Sequence, residues 1–420
     1  MRGCVGSLRA PVLSARSTGV KVAYLSTYPP RECGIATFCE DVIRATGADG
    51  RFPEPVVVAM EGARRHQYAR PVVARLDDRS EHDYQIAAQL LNDSPAQVVS
   101  IQHEFGIYGG IEGRGLYRFL DTIAKPVITT LHTVLPEPDP AIRDMVRALV
   151  EKSERAVVMN PIASQILRRD YGVPGKKLAF INHGAPPPLT KRREEIKQRL
   201  GVGGKRVMCT FGLVGRGKGL ERAIQALPAV IRRHPDLVYL IVGETHPGAL
   251  RDGVDDYRLS LVRTIQELGL EGSVQFVNRY LSKREITSYL AASDIFITPY
   301  LNPQQICSGT LAYAVAAGKA IISTPYLHAQ FLLGRGRGLL VESASPQAIS
   351  QAMLRLLDAP ELQAQLEART RAYGRRLHWT QVGARYRSLL GAVLGQQRSV
   401  PRGSGRPVAL PLPSGAKSAA

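Results

Sequence analysis

The chain has 420 residues, 44% of them hydrophobic, enough for two domains of about 150–200 residues each. No apolar run reaches the roughly 18–20 residues of a membrane-spanning helix, and five scattered cysteines without CxxC spacing exclude a disulfide framework or a zinc ribbon and point to a reducing, cytoplasmic setting. The net charge of +19 suits anionic surfaces, including peripheral contact with a membrane, or phosphorylated substrates; with no aromatic-interleaved basic stripe, nucleic acid is excluded as a partner.

Residues 1–19 and 396–420 are rich in Pro, Gly, Ser and Ala, with Arg or Lys and no acid. They are expected to be a disordered basic leader and tail. From Val20 the pattern alternates. A buried strand ends in Tyr28-Pro29-Pro30, and a helix follows Gly34. Further strands are predicted at Pro55–Met60, Val98–Gln102, Val127–Leu131 and Ala156–Met159, with helices such as Ser80–Leu91 and Pro140–Lys152 between them. This half, 20–188, closes on Leu178–Ile181 and a proline run. Residues 189–204 read as a linker.

A second series occupies 205–376. Strands are predicted at Arg206–Phe211, Val238–Val242, Val274–Val277, Ile295–Thr298 and Ala320–Ser323, and helices at Gly219–His234, Arg258–Leu268, Arg284–Ala292, Ser308–Ala317, Pro346–Leu357 and Glu361–Arg376. A last helix, 377–395, contains Trp379 and Tyr386. Alternation of this kind implies an α/β protein with two doubly wound, Rossmann-like domains, whose ligands bind at the carboxyl ends of the strands in a cleft between the halves.

Two segments of the second half carry chemistry. Gly212-Leu213-Val214-Gly215-Arg216-Gly217-Lys218-Gly219 joins a strand to a helix, so backbone can approach a phosphate while Arg216 and Lys218 neutralise it. Ser308-Gly309-Thr310 opens the helix after the strand Ile295–Thr298, where unpaired N–H groups and the positive helix end favour an anion. In the first half, His103 with Glu104, and His132 with Thr133, each follow a strand's carboxyl end. His103-Glu104 is no HExxH metal site, because Ile107 stands where the second histidine belongs. Cys33 has no basic partner nearby in sequence, which argues against a nucleophile.

Over about residues 20–395, and most specifically in the second half, the chain resembles the group 1 family of GT-B retaining glycosyltransferases. The resemblance implies transfer of a sugar from a nucleotide-diphosphate donor, GDP-mannose or UDP-glucose by family habit, with retention of configuration and no cofactor. It implies acceptor binding in the first half and donor binding in the second. The acceptor would be a glycan, a lipid-linked glycan or a small molecule. Catalytic roles fall to His132, Arg216 and Lys218, and donor contacts to Gly34, Gly215, Gly243, Gln305, Ser308, Gly309, Thr310 and Tyr313. His103, Glu104 and Tyr326 are expected to line the cleft on the acceptor side. The sequence departs from the family at three places: Leu213 stands where members carry the arginine of the glycine loop, with Arg216 as its shifted replacement, and Gln305 and Tyr313 stand where members carry glutamates. A catalytically inactive nucleotide-sugar-binding subunit is therefore the alternative. No DxD triplet occurs, so no metal is expected on the diphosphate, whose charge would be met by cations and the helix end.

Overall fold

The computed structural model describes residues 20–398, apart from 53–54, 63, 110–112, 246–254 and 343. The expected leader, and the tail beyond Arg398, lie outside the described residues. The chain forms two compact units.

The first unit takes residues up to Val158, Ser164–Phe180 and the last helix from Ala384 onward. Its elements are β1 (Val22–Ser26), α1 (Gly34–Gly47), β2 (Val56–Glu61), β3 (Val72–Asp77), α2 (Glu81–Asp93), β4 (Val98–His103), α3 (Arg114–Thr122), β5 (Val127–Leu131), α4 (Pro140–Lys152), β6 (Ser153–Val158), α5 (Pro161–Asp170), which starts in the second unit, and β7 (Leu178–Phe180). The seven strands are parallel in the order β3-β2-β1-β4-β5-β6-β7. β1, β2, β4 and β5 are buried along their whole length, as a sheet covered on both faces requires.

The second unit holds Met159–Ala163 and Ile181–Gly383. It contains α6 (Arg193–Arg199), β8 (Arg206–Phe211), α7 (Leu220–Ile231), β9 (Leu237–Val242), α8 (Asp256–Glu267), β10 (Val274–Val277), α9 (Lys283–Ala292), β11 (Ile295–Thr298), α10 (Gly309–Ala316), β12 (Ala320–Ser323), α11 (Leu327–Leu333), β13 (Leu339–Leu340), α12 (Pro346–Leu357), α13 (Pro360–Gly374) and the start of α14 (Trp379–Arg398). Its six strands are also parallel, ordered β10-β9-β8-β11-β12-β13. Strand order reverses between β1 and β4 in one sheet and between β8 and β11 in the other. These switch points are where ligands of such sheets bind.

The segment read as a linker, 189–204, is not simply a connection. It contains α6, in which Lys197 is buried and donates to Asp294 Oδ2 at 2.7 Å, and Arg193 Nη1 meets Asp294 Oδ1 at 2.9 Å. Asp294 Oδ2 also accepts from the Val207 N–H at 2.7 Å. The carboxylate pins the charged helix to the edges of β8 and β11, where its two cations are satisfied. The chain then returns to its own start. Ala185 N–H donates to the Leu377 carbonyl (2.8 Å) and Trp379 N–H to the Ala185 carbonyl (3.0 Å).

Candidate functional site

The carboxyl ends of β8 and β11 bring the two motifs of the second half together. The loop after β8 turns at Gly212 (φ +123) and Gly219 (φ +62), conformations that only glycine adopts without strain. A Cβ on Gly219 would lie 2.1 Å from the Pro299 carbonyl oxygen, and one on Gly212 would lie 3.0 Å from Thr310 Cγ2. The loop thus packs directly against the segment leading into α10, and the Leu301 N–H donates to the Gly217 carbonyl at 3.0 Å. Gly215 precedes a single 3-10 turn, Arg216–Lys218. Lys218 Nζ rests 4.0 Å from the centre of the Tyr300 ring, and the Arg216 guanidinium 5.5 Å from that of Tyr257. Both rings are tethered. Tyr300 Oη is 2.7 Å from Thr310 Oγ1, and Tyr257 donates to Glu221 at 2.6 Å. Cation–π contact places each charge at a rim while its head stays polar.

An α-helix begins with four N–H groups that have no partner inside it. In α10 two of them are taken. Ser308 Oγ accepts from Leu311 N–H at 3.3 Å, and Ser308 N–H donates to His328 Nδ1 at 2.8 Å. The N–H groups of Gly309 and Thr310 are left facing out of the helix, with no acceptor among the described residues. The expected set of three amides at Ser308–Thr310 is therefore corrected to two. His328 is buried, and burial with His183 nearby pulls its pKa down to about 3. It stays neutral, with a lone pair for the Ser308 amide. His183 donates from Nδ1 to the Gly184 carbonyl at 2.7 Å, and its Nε2 would lie 3.1 Å from a Cβ on Gly309. Displacement of water brings its pKa to about 4. Two uncharged imidazoles thus flank the helix start.

Gln305 sits in the approach to α10 and donates from Nε2 to the Cys307 carbonyl at 3.1 Å. Tyr313 is 8% exposed, with its ring packed against His183 and Phe211, so it is mainly a wall of the core. Tyr326 does not line a cleft as expected. It is 1% exposed, stacks on Tyr300 and donates to Thr298 Oγ1 at 3.2 Å, at the start of α11. Gly243 (φ +137) follows β9, and a Cβ there would lie 2.2 Å from the Gly212 carbonyl oxygen. The buried Arg258 side chain holds the Gly243 carbonyl at 3.1 Å. Asn160, absent from the sequence reading, donates to the carbonyls of Ile306 (3.3 Å) and Leu327 (3.2 Å) and ties the α10 and α11 approaches together. Its only signal is an Asn-Pro turn after a strand.

The first unit gathers its own polar group past β4 and β5. His132 Nε2 lies 3.0 Å from Gln102 Oε1, which fixes the ring proton on Nε2. Glu104 accepts from Thr133 Oγ1 at 2.7 Å and from Phe105 N–H at 3.0 Å, and burial raises its pKa. His103 is buried between Phe105 and Tyr108, its pKa brought to about 4 by desolvation. Buried and neutral, it is core rather than cleft lining. Gly34 opens α1, and a Cβ there would meet nothing within 4 Å. Cys33 caps that helix, its Sγ accepting from Ala36 N–H at 3.3 Å.

The family model for glycosyl transferases group 1 matches residues 192–373. A D-inositol 3-phosphate glycosyltransferase of Corynebacterium glutamicum is 24% identical over 292 residues, 65% of this chain and 68% of that protein. A GDP-mannose-dependent monoacylated alpha-(1-6)-phosphatidylinositol monomannoside mannosyltransferase of Corynebacterium glutamicum is 29% identical over 183 residues, 40% of this chain and 42% of that one. Among solved structures, HepE of Anabaena in complex with UDP and glucose superposes with a TM-score of 0.69 at 16% identity, covering 89% of this chain and all of that one. The matched segment contains the glycine loop and α10 and is similar to the group 1 glycosyltransferases, and with both parallel sheets in place the chain has the GT-B fold of two Rossmann-like domains.

Proposed function

We propose that the protein transfers a hexose from a nucleotide-diphosphate sugar to an acceptor with retention of anomeric configuration. The observation that carries the reading is that the Gly309 and Thr310 amides of α10 and the loop bearing Lys218 and Arg216 lie at the same sheet switch point, where the loop packs against the segment leading into α10. Two amides and two cations at this edge of the sheet support a diphosphate as the ligand. As the sugar–phosphate bond breaks, negative charge grows on the leaving diphosphate, and preorganised groups that meet it lower the barrier. In this reading Arg216 and Lys218 supply the charge, without a metal, and the attack takes place on the face the leaving group vacates. The first unit, with His132 held by Gln102 and Glu104 by Thr133, would receive the acceptor. A relative that is GDP-mannose-dependent and a structural neighbour bound to UDP and glucose keep GDP-mannose and UDP-glucose as the donors to test first. A glycan, lipid-linked or small-molecule acceptor fits the reading equally.

A second reading is a donor-binding subunit without turnover. Its support is that Gln305 and Tyr313 replace the two glutamates of the resembled family, and that Tyr313 is largely buried. A thermal-shift series with UDP, GDP, ADP and their sugar conjugates, without added metal, tests the site. We expect one nucleotide family to raise the melting temperature. No shift with any of them from folded protein would remove the donor site. A shift without nucleotide release in the presence of acceptors would favour the second reading.

A further inference from the structure

A cavity of about 230 Å³ opens in the second unit on the flank of α10, away from its amino end. One wall is Tyr313 of α10 with Ala317 just past its end, and another is Pro186–Pro188. Four cationic side chains line it, Lys191, Arg193, Lys319 and Arg371, and no acid does. The carboxylates that meet the cations of this region are Asp294 and Glu367. Asp294 is engaged by Arg193 and Lys197 at 2.9 and 2.7 Å, and Glu367 by Arg193 at 2.8 Å and by Arg371 at 3.9 Å. Five cations thus face two carboxylates.

The residues around the cavity show how unbalanced this is. Lys319 is 4% exposed. It donates to the carbonyls of Ala291 (3.3 Å) and Ser293 (2.9 Å) at the end of α9 but contacts no carboxylate directly. Burial, then repulsion from Arg193, depresses its pKa to about 7, with Arg371 adding to the effect. Lys191 and Arg371 are exposed at the mouth. The proline wall offers no N–H, and the four cations are the charged groups of the lining. Guanidinium and ammonium groups converging in a partly enclosed space select a compact, multiply charged oxyanion.

We propose that this cavity is a binding site for a phosphate group, carried by inorganic phosphate or by a phosphorylated sugar, and separate from the donor diphosphate site at the other end of α10. An occupant would touch Tyr313, whose ring packs against His183 beside Gly309. It would therefore reach the helix that presents the donor amides.

The test is calorimetric titration in HEPES buffer with inorganic phosphate and, separately, glucose 6-phosphate. The proteins are wild type, the Lys191→Glu/Arg371→Glu variant and Lys218→Ala. We expect saturable binding of at least one probe to wild type, weakened at least tenfold in the double variant and changed less than twofold in Lys218→Ala. The probe bound more tightly identifies the free or the sugar-borne phosphate. If the double variant does not fold, Lys191→Gln should weaken binding about threefold, as loss of one partly screened charge does. No saturable binding of either probe overturns the proposal. So does binding that Lys218→Ala abolishes and the double variant retains, which would assign the phosphate to the donor site.

Discussion

The hydrogen bond from the Ser308 amide to His328 Nδ1 requires a neutral ring, because an imidazolium has no lone pair to offer. His103, buried in the other unit, is neutral for lack of water. Both folded pKa values, about 3 and about 4, lie below the roughly 6.5 of an exposed histidine. The unfolded chain therefore binds more protons below pH 6.5, and stability present above that pH is lost on acidification. Linkage gives a loss of about 2 kcal/mol per ring by pH 5. Denaturant midpoints at pH 7 and pH 5 should differ accordingly; equal midpoints would show that the rings accept protons in the folded state. At Lys218 the expectation concerns turnover. Removing one preorganised charge contact commonly costs about a hundredfold in rate, so Lys218→Ala should lose that much with the matching donor while its melting temperature hardly moves. Near-normal turnover would take Lys218 out of the site.

At the scale of elements, the strands of the second half were legible nearly residue by residue. Arg206–Phe211, Val274–Val277, Ile295–Thr298 and Ala320–Ser323 coincide with β8, β10, β11 and β12. β8, β11 and β12 are short, largely apolar runs buried on both faces, which is a local signal, whereas the edge strand β10 is buried only at Val274. The misses have a common cause. The edge strand β3 is only partly buried and carries Arg75, and α6 buries little beyond Ile196 and Lys197. α11 is seven residues long. None shows a strong period, and tertiary partners decide them. The same holds within the site. Arg216, Lys218 and Ser308–Thr310 are contiguous motifs and could be read, whereas His328 takes the Ser308 amide from twenty residues away. The α6 correction yields a prediction. Asp294→Ala removes the partner of the buried Lys197 and the acceptor of the Val207 N–H. Breaking a buried pair on one side costs about 3–5 kcal/mol, which chemical denaturation would detect. A change below 1 kcal/mol, about the value of a surface pair, would return α6 to the status of a loose connection.

Taken whole, the chain passes between its two units at Val158/Met159, Ala163/Ser164, Phe180/Ile181 and Gly383/Ala384. The last two passages are tied together inside the second unit. Gly184 lies under Trp379, where a Cβ would come within 2.3 Å of the indole. Past Ala384, Tyr386 reaches Thr130 at 3.1 Å, and Arg387 pairs with Asp49 at 2.9 Å. The general two-domain plan was visible in the alternation of elements. The short excursion of Met159–Ala163 was not, because nothing in its sequence says which sheet it joins. Gly184→Ala should force the ring aside at a cost of about 1–3 kcal/mol, the usual penalty of overpacking. As Trp379 is the only tryptophan, its emission should shift with the loss of stability; an unchanged spectrum and midpoint would mean the passage is loosely packed.

One consequence follows from the way His328 occupies the Ser308 amide. With two amides at α10 and two cations on the glycine loop, the proposed donor site would offer one set of groups to each of two phosphoryl groups. In that reading a single phosphoryl group would engage one set and leave the other to water, so a nucleoside diphosphate would be held more tightly than its monophosphate, whichever base the molecule carries.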